Sequence, residues 1–184
     1  MRMSDQVPAN LASTCNAIFS NLTQNPRSSQ HLVFAVKDFV TTIVASAACD
    51  NVDRKRYAFF AIQNLSCDAK CRLQLGKTPN LLQTLADGCK GYDDLEAQAS
   101  ALSAMNNLTK EQDNLIYFTN NECMGNLLGM AGDKKVPHLQ YLASDALVTL
   151  AHWMQAYTIY SHQQALNSPS SDKGQMLKMH TWTE

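Results

Sequence analysis

The residues of this chain whose types could support covalent or metal chemistry are its six cysteines and five histidines. Their spacing supports neither. Cys67 and Cys71 have three residues between them, but no second cysteine or histidine pair follows at the distance a zinc site needs. His31, His138, His152, His162 and His180 form no His-Glu-x-x-His or comparable ligand pair on a helix. His152 lies beside Trp153 with no partner carboxylate indicated and is expected to pack at the end of the last repeat. The sequence has no Gly-rich phosphate loop and no Gly-x-Ser-x-Gly elbow. A non-enzymatic chain follows, with no catalytic residue, no metal site, no cofactor and no small-molecule substrate.

What recurs instead is an amide. Asn21, Asn64 and Asn107 stand 43 positions apart, each followed by leucine and then by a hydroxyl residue, Thr23, Ser66 or Thr109. In a secreted protein such Asn-x-Ser/Thr triplets would accept glycans. Here the repetition itself accounts for all three, and their mid-helix placement opposes modification. A carboxamide carries a donor and an acceptor together, which suits it to hydrogen bonding rather than to bond breaking.

The elements that position these amides are read from the columns around them. Two residues before the asparagine stand Phe19, Ile62, Met105 and Leu147, and one after it Leu22, Leu65, Leu108 and Leu150, the last register having Thr149 in place of Asn. Three before it stand Ile18, Ala61, Ala104 and Ala146, and six before it Cys15, Ala58, Ala101 and Ala143. Steps of three and four residues share one helical face, so large and small apolar residues alternate along a single stripe. Periods of 43, 43 and 42 mark a stacked helical array in which each unit's apolar face is covered by its neighbour. Cys15 therefore reads as a small apolar residue.

This pattern, small-x-x-small-apolar-x-Asn-Leu-small, resembles the third helix of armadillo repeats. The resemblance covers about residues 10–155 and is fullest at 69–109, where Arg72, Gly76, Pro79, Leu81, Leu82 and Leu85 resemble the family's short first helix, glycine break and second helix. It implies an all-α, right-handed superhelical solenoid of about three to four repeats. It also implies a scaffold that binds an extended segment of a partner protein along its concave face, where the family's repeated asparagines hydrogen-bond the peptide backbone. Asn21, Asn64 and Asn107 match that position, with Phe60, Ser103 and Arg56 nearby to tune which segment fits. The other reading of the same amides is that they tie adjacent helices. The branch that binds nuclear localisation signals has a tryptophan one turn earlier, where this chain has Ala17, Phe60, Ser103 and Asp145. The basic run Arg54-Lys55-Arg56, with Lys70, Arg72 and Lys77 behind it, suits either an acidic peptide, as in the catenin-like branch, or a solvated face. The alternative function is an armadillo-like assembly or chaperone cofactor that grips a folded partner domain.

With 184 residues, 45% of them hydrophobic, and a net charge of −1, the chain can build one substantial core and has no electrostatic reason to bind nucleic acid. The first residues lack the apolar run of a secretory signal, and no apolar stretch has the length of a membrane span. A cytoplasmic or nuclear protein with no membrane attachment is expected.

Along the chain, residues 1–9 read as a flexible lead, 10–166 as the repeat domain and 167–184 as a flexible tail. Third helices fall near 10–23, 52–66, 95–109 and 138–151. The chain thus opens on a third helix without its first two, as either an abbreviated cap or a piece of a longer solenoid. Asn25-Pro26 ends that helix, and Ser28 or Ser29 is expected to cap the next. The β-branched segment 31–48 is read as two helices meeting near Val36 and Lys37. Pro79 is expected in the first turn of a second helix, Asp93 or Asp94 as the cap of 95–109, and Asn120-Asn121 as a break. Met176, Leu177, Met179 and Trp182 give the tail the apolar anchors for docking on the protein itself.

Overall fold

Caps at repeat spacing divide the chain. The computed structural model describes residues 9–90, 94–119 and 122–167. α1 (Ala9–Leu22) is followed by α2 (Pro26–Ala35), whose N-cap is Asn25: its Oδ1 accepts from the backbone N–H of Arg27 at 2.9 Å and of Ser28 at 3.3 Å. The expected cap at Ser28 or Ser29 is corrected, because Pro26 fits the first helical position. Ser29 instead lies buried within α2, its Oγ donating to the Thr23 carbonyl at 2.7 Å. The same cap recurs 43 residues on, where Asp68 accepts from Lys70 at 2.9 Å and Cys71 at 3.1 Å to start α5 (Ala69–Gly76).

Second helices start differently. α3 (Phe39–Ala47) follows Asp38 at φ 56°, and α6 (Leu81–Gly88) follows Asn80 at φ 62°, a left-handed turn that Asn and Asp tolerate best after glycine. That turn places Pro79 before α6 rather than in its first turn, correcting the expectation. Third helices α4 (Val52–Cys67) and α7 (Leu95–Thr109) are capped by Asn51, accepting from Arg54 at 2.8 Å, and by Asp94, accepting from Ala97 at 3.0 Å. A 3-10 turn at Gln112–Asn114 leads into α8 (Leu115–Thr119), then α9 (Cys123–Gly132) and α10 (Pro137–Asn167). Gln98 and Gln140 each donate to a carbonyl nine residues earlier, Cys89 and Ala131, at the ends of the second helices α6 and α9. The two asparagines at 120 and 121, Asp93, the lead through residue 8 and the tail from 168 lie outside the described residues.

Like helices stack on like. α4 packs against both α1 and α7, α3 against α6 and α6 against α9, and α2 against α5. The small columns allow close approach: Ala58, Ala61, Ala101, Ala104, Ala143 and Ala146 are wholly buried, as are Leu65 and Leu108. α10 carries the chain across from a first unit ending at Leu150 to a second beginning at Ala151. In that second unit His152 is exposed, its ring edge-on to Trp153 at 5.3 Å, rather than packed as expected.

Two glycines owe their identity to packing. A Cβ on Gly88 would run into the Phe59 ring, and one on Gly76 into the amide of Asn114. Asn114 is wholly buried and donates through Nδ2 to the carbonyls of Arg72 and Leu108, both at 3.1 Å, so it joins α5 to the end of α7 and has nowhere to move. Gly76→Ala is expected to lower stability by about 1–3 kcal/mol in urea melts, despite alanine's higher helix propensity. A neutral or stabilising result would show that Asn114 has room to shift.

Candidate functional site: the face of the third helices

The hydroxyl column explains why the asparagines recur. Thr23, Ser66 and Thr109 are all buried, and each donates back to the carbonyl three residues earlier, at 2.8, 2.6 and 2.7 Å. Each hydroxyl oxygen then has acceptor capacity left in a place water does not reach. Asn64 meets it from the next helix, Nδ2 lying 3.3 Å from Thr23 Oγ1 and 3.0 Å from the Ser20 carbonyl. Asn107 does the same one repeat later, with Nδ2 3.1 Å from Ser66 Oγ and 3.6 Å from Cys67 Sγ. The amide nitrogens therefore tie adjacent third helices.

The oxygens differ. Asn107 Oδ1 accepts from Lys110 Nζ at 3.0 Å, whereas Asn64 Oδ1 has no partner among the described residues, and Asn64 is half-buried. Asn21 is exposed and its side chain makes no hydrogen bond within the described residues. Phe60 sits half-buried one turn before Asn64, its ring 6.4 Å from that of Tyr57 at an edge-on 69°. Ser103 is likewise half-buried on α7. These side chains share the side of α4 and α7 opposite the core columns.

Arg56 is engaged within the array. Its Nε donates to Asp94 Oδ2 at 2.8 Å, and Asp53 lies 3.9 Å from its other end, so the run 53–56 is not one solvated face: Arg54 reaches back to Ser46 Oγ at 3.2 Å. Asp68 has a parallel partner, Gln30 Nε2 at 2.9 Å. Burial works against the charge of Asp94, but hydrogen bonds from the Ala97 N–H and from Arg56 outweigh it and hold the carboxyl below its ordinary range. Asp68 is held low in the same way, by Gln30 and the N–H groups of Cys71 and Lys70 against burial. Sequence reading found the Asp94 cap but missed its second bond. The signal was there: Ser13–Asn51, Asn16–Arg54, Gln30–Asp68 and Arg56–Asp94 all lie 38 residues apart.

Metal and redox chemistry find no grouping here. Among the described residues no three His, Cys, Asp or Glu side chains converge on a metal position, and all six cysteines are free. Burial pushes the thiols of Cys71 and Cys89 up to about 12, leaving them protonated and unreactive at neutral pH. A cleft of about 270 Å³ between the end of α6 and α9 has Lys90 as its charged lining residue, already paired with Asp87 at 2.7 Å. No described helix is long and apolar enough to cross a membrane.

The backbone arrangement of these helices is similar to that of solved structures. A designed armadillo repeat protein superposes with a TM-score of 0.70 at 17% identity over 79% of this chain and 60% of that one. This is an armadillo-like repeat fold. Two engineered proteins superpose with TM-scores of 0.72 and 0.67, each at 14% identity, over 81% and 79% of this chain and 60% and 59% of theirs. The chain thus spans about three-fifths of the length of each of these neighbours. No protein-family model matches the sequence, and no curated protein matches it.

The depressed carboxyls set an acid limit for the array. A carboxyl held low in the folded state stabilises it at pH above the unfolded value of about 3.9, and that contribution is lost as pH falls through the folded value. Melting temperature is expected to hold from pH 7 to about 5 and fall below that. An Asp68→Asn/Asp94→Asn variant, whose asparagines still cap, should lose less of its melting temperature over the acid range. Parallel acid profiles for the two proteins would refute this role.

Proposed function

We propose that this chain is a non-enzymatic interaction scaffold that takes an extended segment of a partner protein along the shared face of α1, α4 and α7. The observation that carries the reading is the pairing, on α4, of the Tyr57–Phe60 ring edge with an Asn64 carbonyl oxygen that has no partner among the described residues. An apolar anchor next to a free acceptor is what an extended peptide requires: a side chain covers the rings while a backbone N–H meets the oxygen. Ser103, one register on from Phe60, leaves room for a bulkier partner side chain beside α7. Because Asn64 and Asn107 use their nitrogens to hold the array together, they supply acceptors more than donors. Arg56, paired with Asp94, gives the groove a polar rim, not an open positive charge. The segment this face suits is therefore apolar or aromatic, with little net charge. Binding would be modest for an array of this length and would strengthen when several segments engage together.

Selection from a random peptide display library tests this. Enriched peptides are expected to lose about tenfold or more in affinity, about 1.4 kcal/mol, on Phe60→Ala, measured by fluorescence polarisation. Ser103→Glu should do the same by filling the space. Neither substitution, both outside the core columns, should move the melting temperature much, whereas Asn64→Ala should lower it. The reading fails if no peptide is enriched, or if enriched peptides bind Phe60→Ala and Ser103→Glu as well as the parent chain.

A further inference from the structure

The third helices α1, α4, α7 and α10 form a row within the first unit, and each inner junction uses the same columns. Looking back toward the preceding helix, the column of Leu11 continues as Arg54, Ala97 and Leu139, that of Ile18 as Ala61, Ala104 and Ala146, and that of Leu22 as Leu65, Leu108 and Leu150. Apart from Arg54, which is half-buried, these inner members are buried, with exposures of 5% or less. In α1 the same columns are open: Leu11 is 52% exposed, Ile18 52% and Leu22 46%. Asn21 stands among them with its amide making no hydrogen bond among the described residues, where Asn64 and Asn107 donate to the helix before.

The forward side of the row is open as well. Ser13 and Arg56 occupy the column that reaches ahead to the cap of the next third helix, and its last member is Tyr141, 67% exposed. Ser20 and Asn106, each 6% exposed, belong to the column whose last member is Val148, 68% exposed. Ser20 gives its carbonyl to Asn64 near the end of α1, and Val148 holds the corresponding position on α10. The two open faces complement each other. One offers Leu11, Ile18 and Leu22, and the other offers Tyr141 and Val148.

We infer that a second copy of this chain occupies these faces, head to tail, its α1 stacking on the forward side of α10 and extending the row of third helices from one molecule into the next. The contact continues the apolar columns already seen at α1–α4 and α4–α7, and it is independent of any peptide on the third-helix face. Because the two faces differ, the association is heterologous and adds copies in one direction.

The test uses the full chain and two variants at exposed positions, Ile18→Asp and Val148→Asp, each checked by circular dichroism and melting for an unchanged fold. Light scattering after size exclusion should show the parent chain growing in mass with concentration and each variant alone at the mass of one chain. An equimolar mixture of the two variants should give a particle of two chains and nothing larger, since only one productive junction remains. A parent chain that stays at single-chain mass overturns the inference. So does a variant that still associates alone, or a mixture that forms no pair.

Discussion

The array depends on how polar groups are satisfied where alanine columns bring third helices close together. Ala58, Ala61, Ala101 and Ala104 leave no side chain to hold the backbones apart, so the hydroxyls of Thr23, Ser66 and Thr109 are caught where water cannot reach them. A buried polar group without a partner costs about 1–3 kcal/mol, more than a satisfied hydrogen bond contributes. The amides of Asn64 and Asn107 remove that cost at two successive junctions. The alanines supply proximity and the amide rungs fix register, because a helix slipped by one residue would carry each amide away from the hydroxyl it meets. The Asn-x-Ser/Thr triplet is thus one half of a junction on each side: its asparagine faces the helix before and its hydroxyl the helix after.

That internal role bears on what the third-helix face can recognise. An asparagine with both ends free can meet the N–H and the C=O of an extended peptide whatever its sequence. Asn64 retains an oxygen, and Asn107 shares its oxygen with Lys110. Discrimination then shifts from backbone to side chains, toward the Tyr57–Phe60 pair and the open space near Ser103. Within the basic run, Arg56 is paired with Asp94, which offsets its charge inside the array, while Arg54 is oriented by Ser46.

Much of this was legible from spacing alone. Columns at Ile62, Leu65, Met105 and Leu108 gave the helix faces and the stacking, because burial of a repeated stripe leaves a periodic trace. The helix junction near Val36 and Lys37 was legible against local β propensity for the same reason. What escaped was set by three-dimensional neighbours. Asn25 caps α2 because Pro26 takes the first position, and the equivalence of Asn25 and Asp68 would have pointed to it ahead of the serines. Gly76 ends its helix as expected, but the reason it is small, the space that Asn114 needs 38 residues away, was not legible. Pro79 was misplaced because a left-handed Asn80 follows it. His152 had no repeat column to place it, and it proved exposed.

The caps show why the junctions are not equal. Asn51 and Asp94 each satisfy their own helix and also receive a side chain from the preceding third helix, Ser13 at 3.2 Å and Arg56 at 2.8 Å. A residue that closes a helix terminus and a helix junction together couples local folding to stacking, since neither bond forms well without the other. The next position in the cap column is Val136, which offers no side-chain acceptor, and the next in the reaching column is Ala99, which has no polar head. Thr149 replaces the asparagine there and turns its hydroxyl back to the Asp145 carbonyl at 3.0 Å. The α7–α10 junction therefore relies on Leu139, Ala143, Ala146 and Leu150, with the 2.8 Å bond from Asn106 to Asp145 as its polar link. Apolar columns are forgiving of small shifts and directional bonds are not, so the first two junctions hold their geometry more tightly than the third.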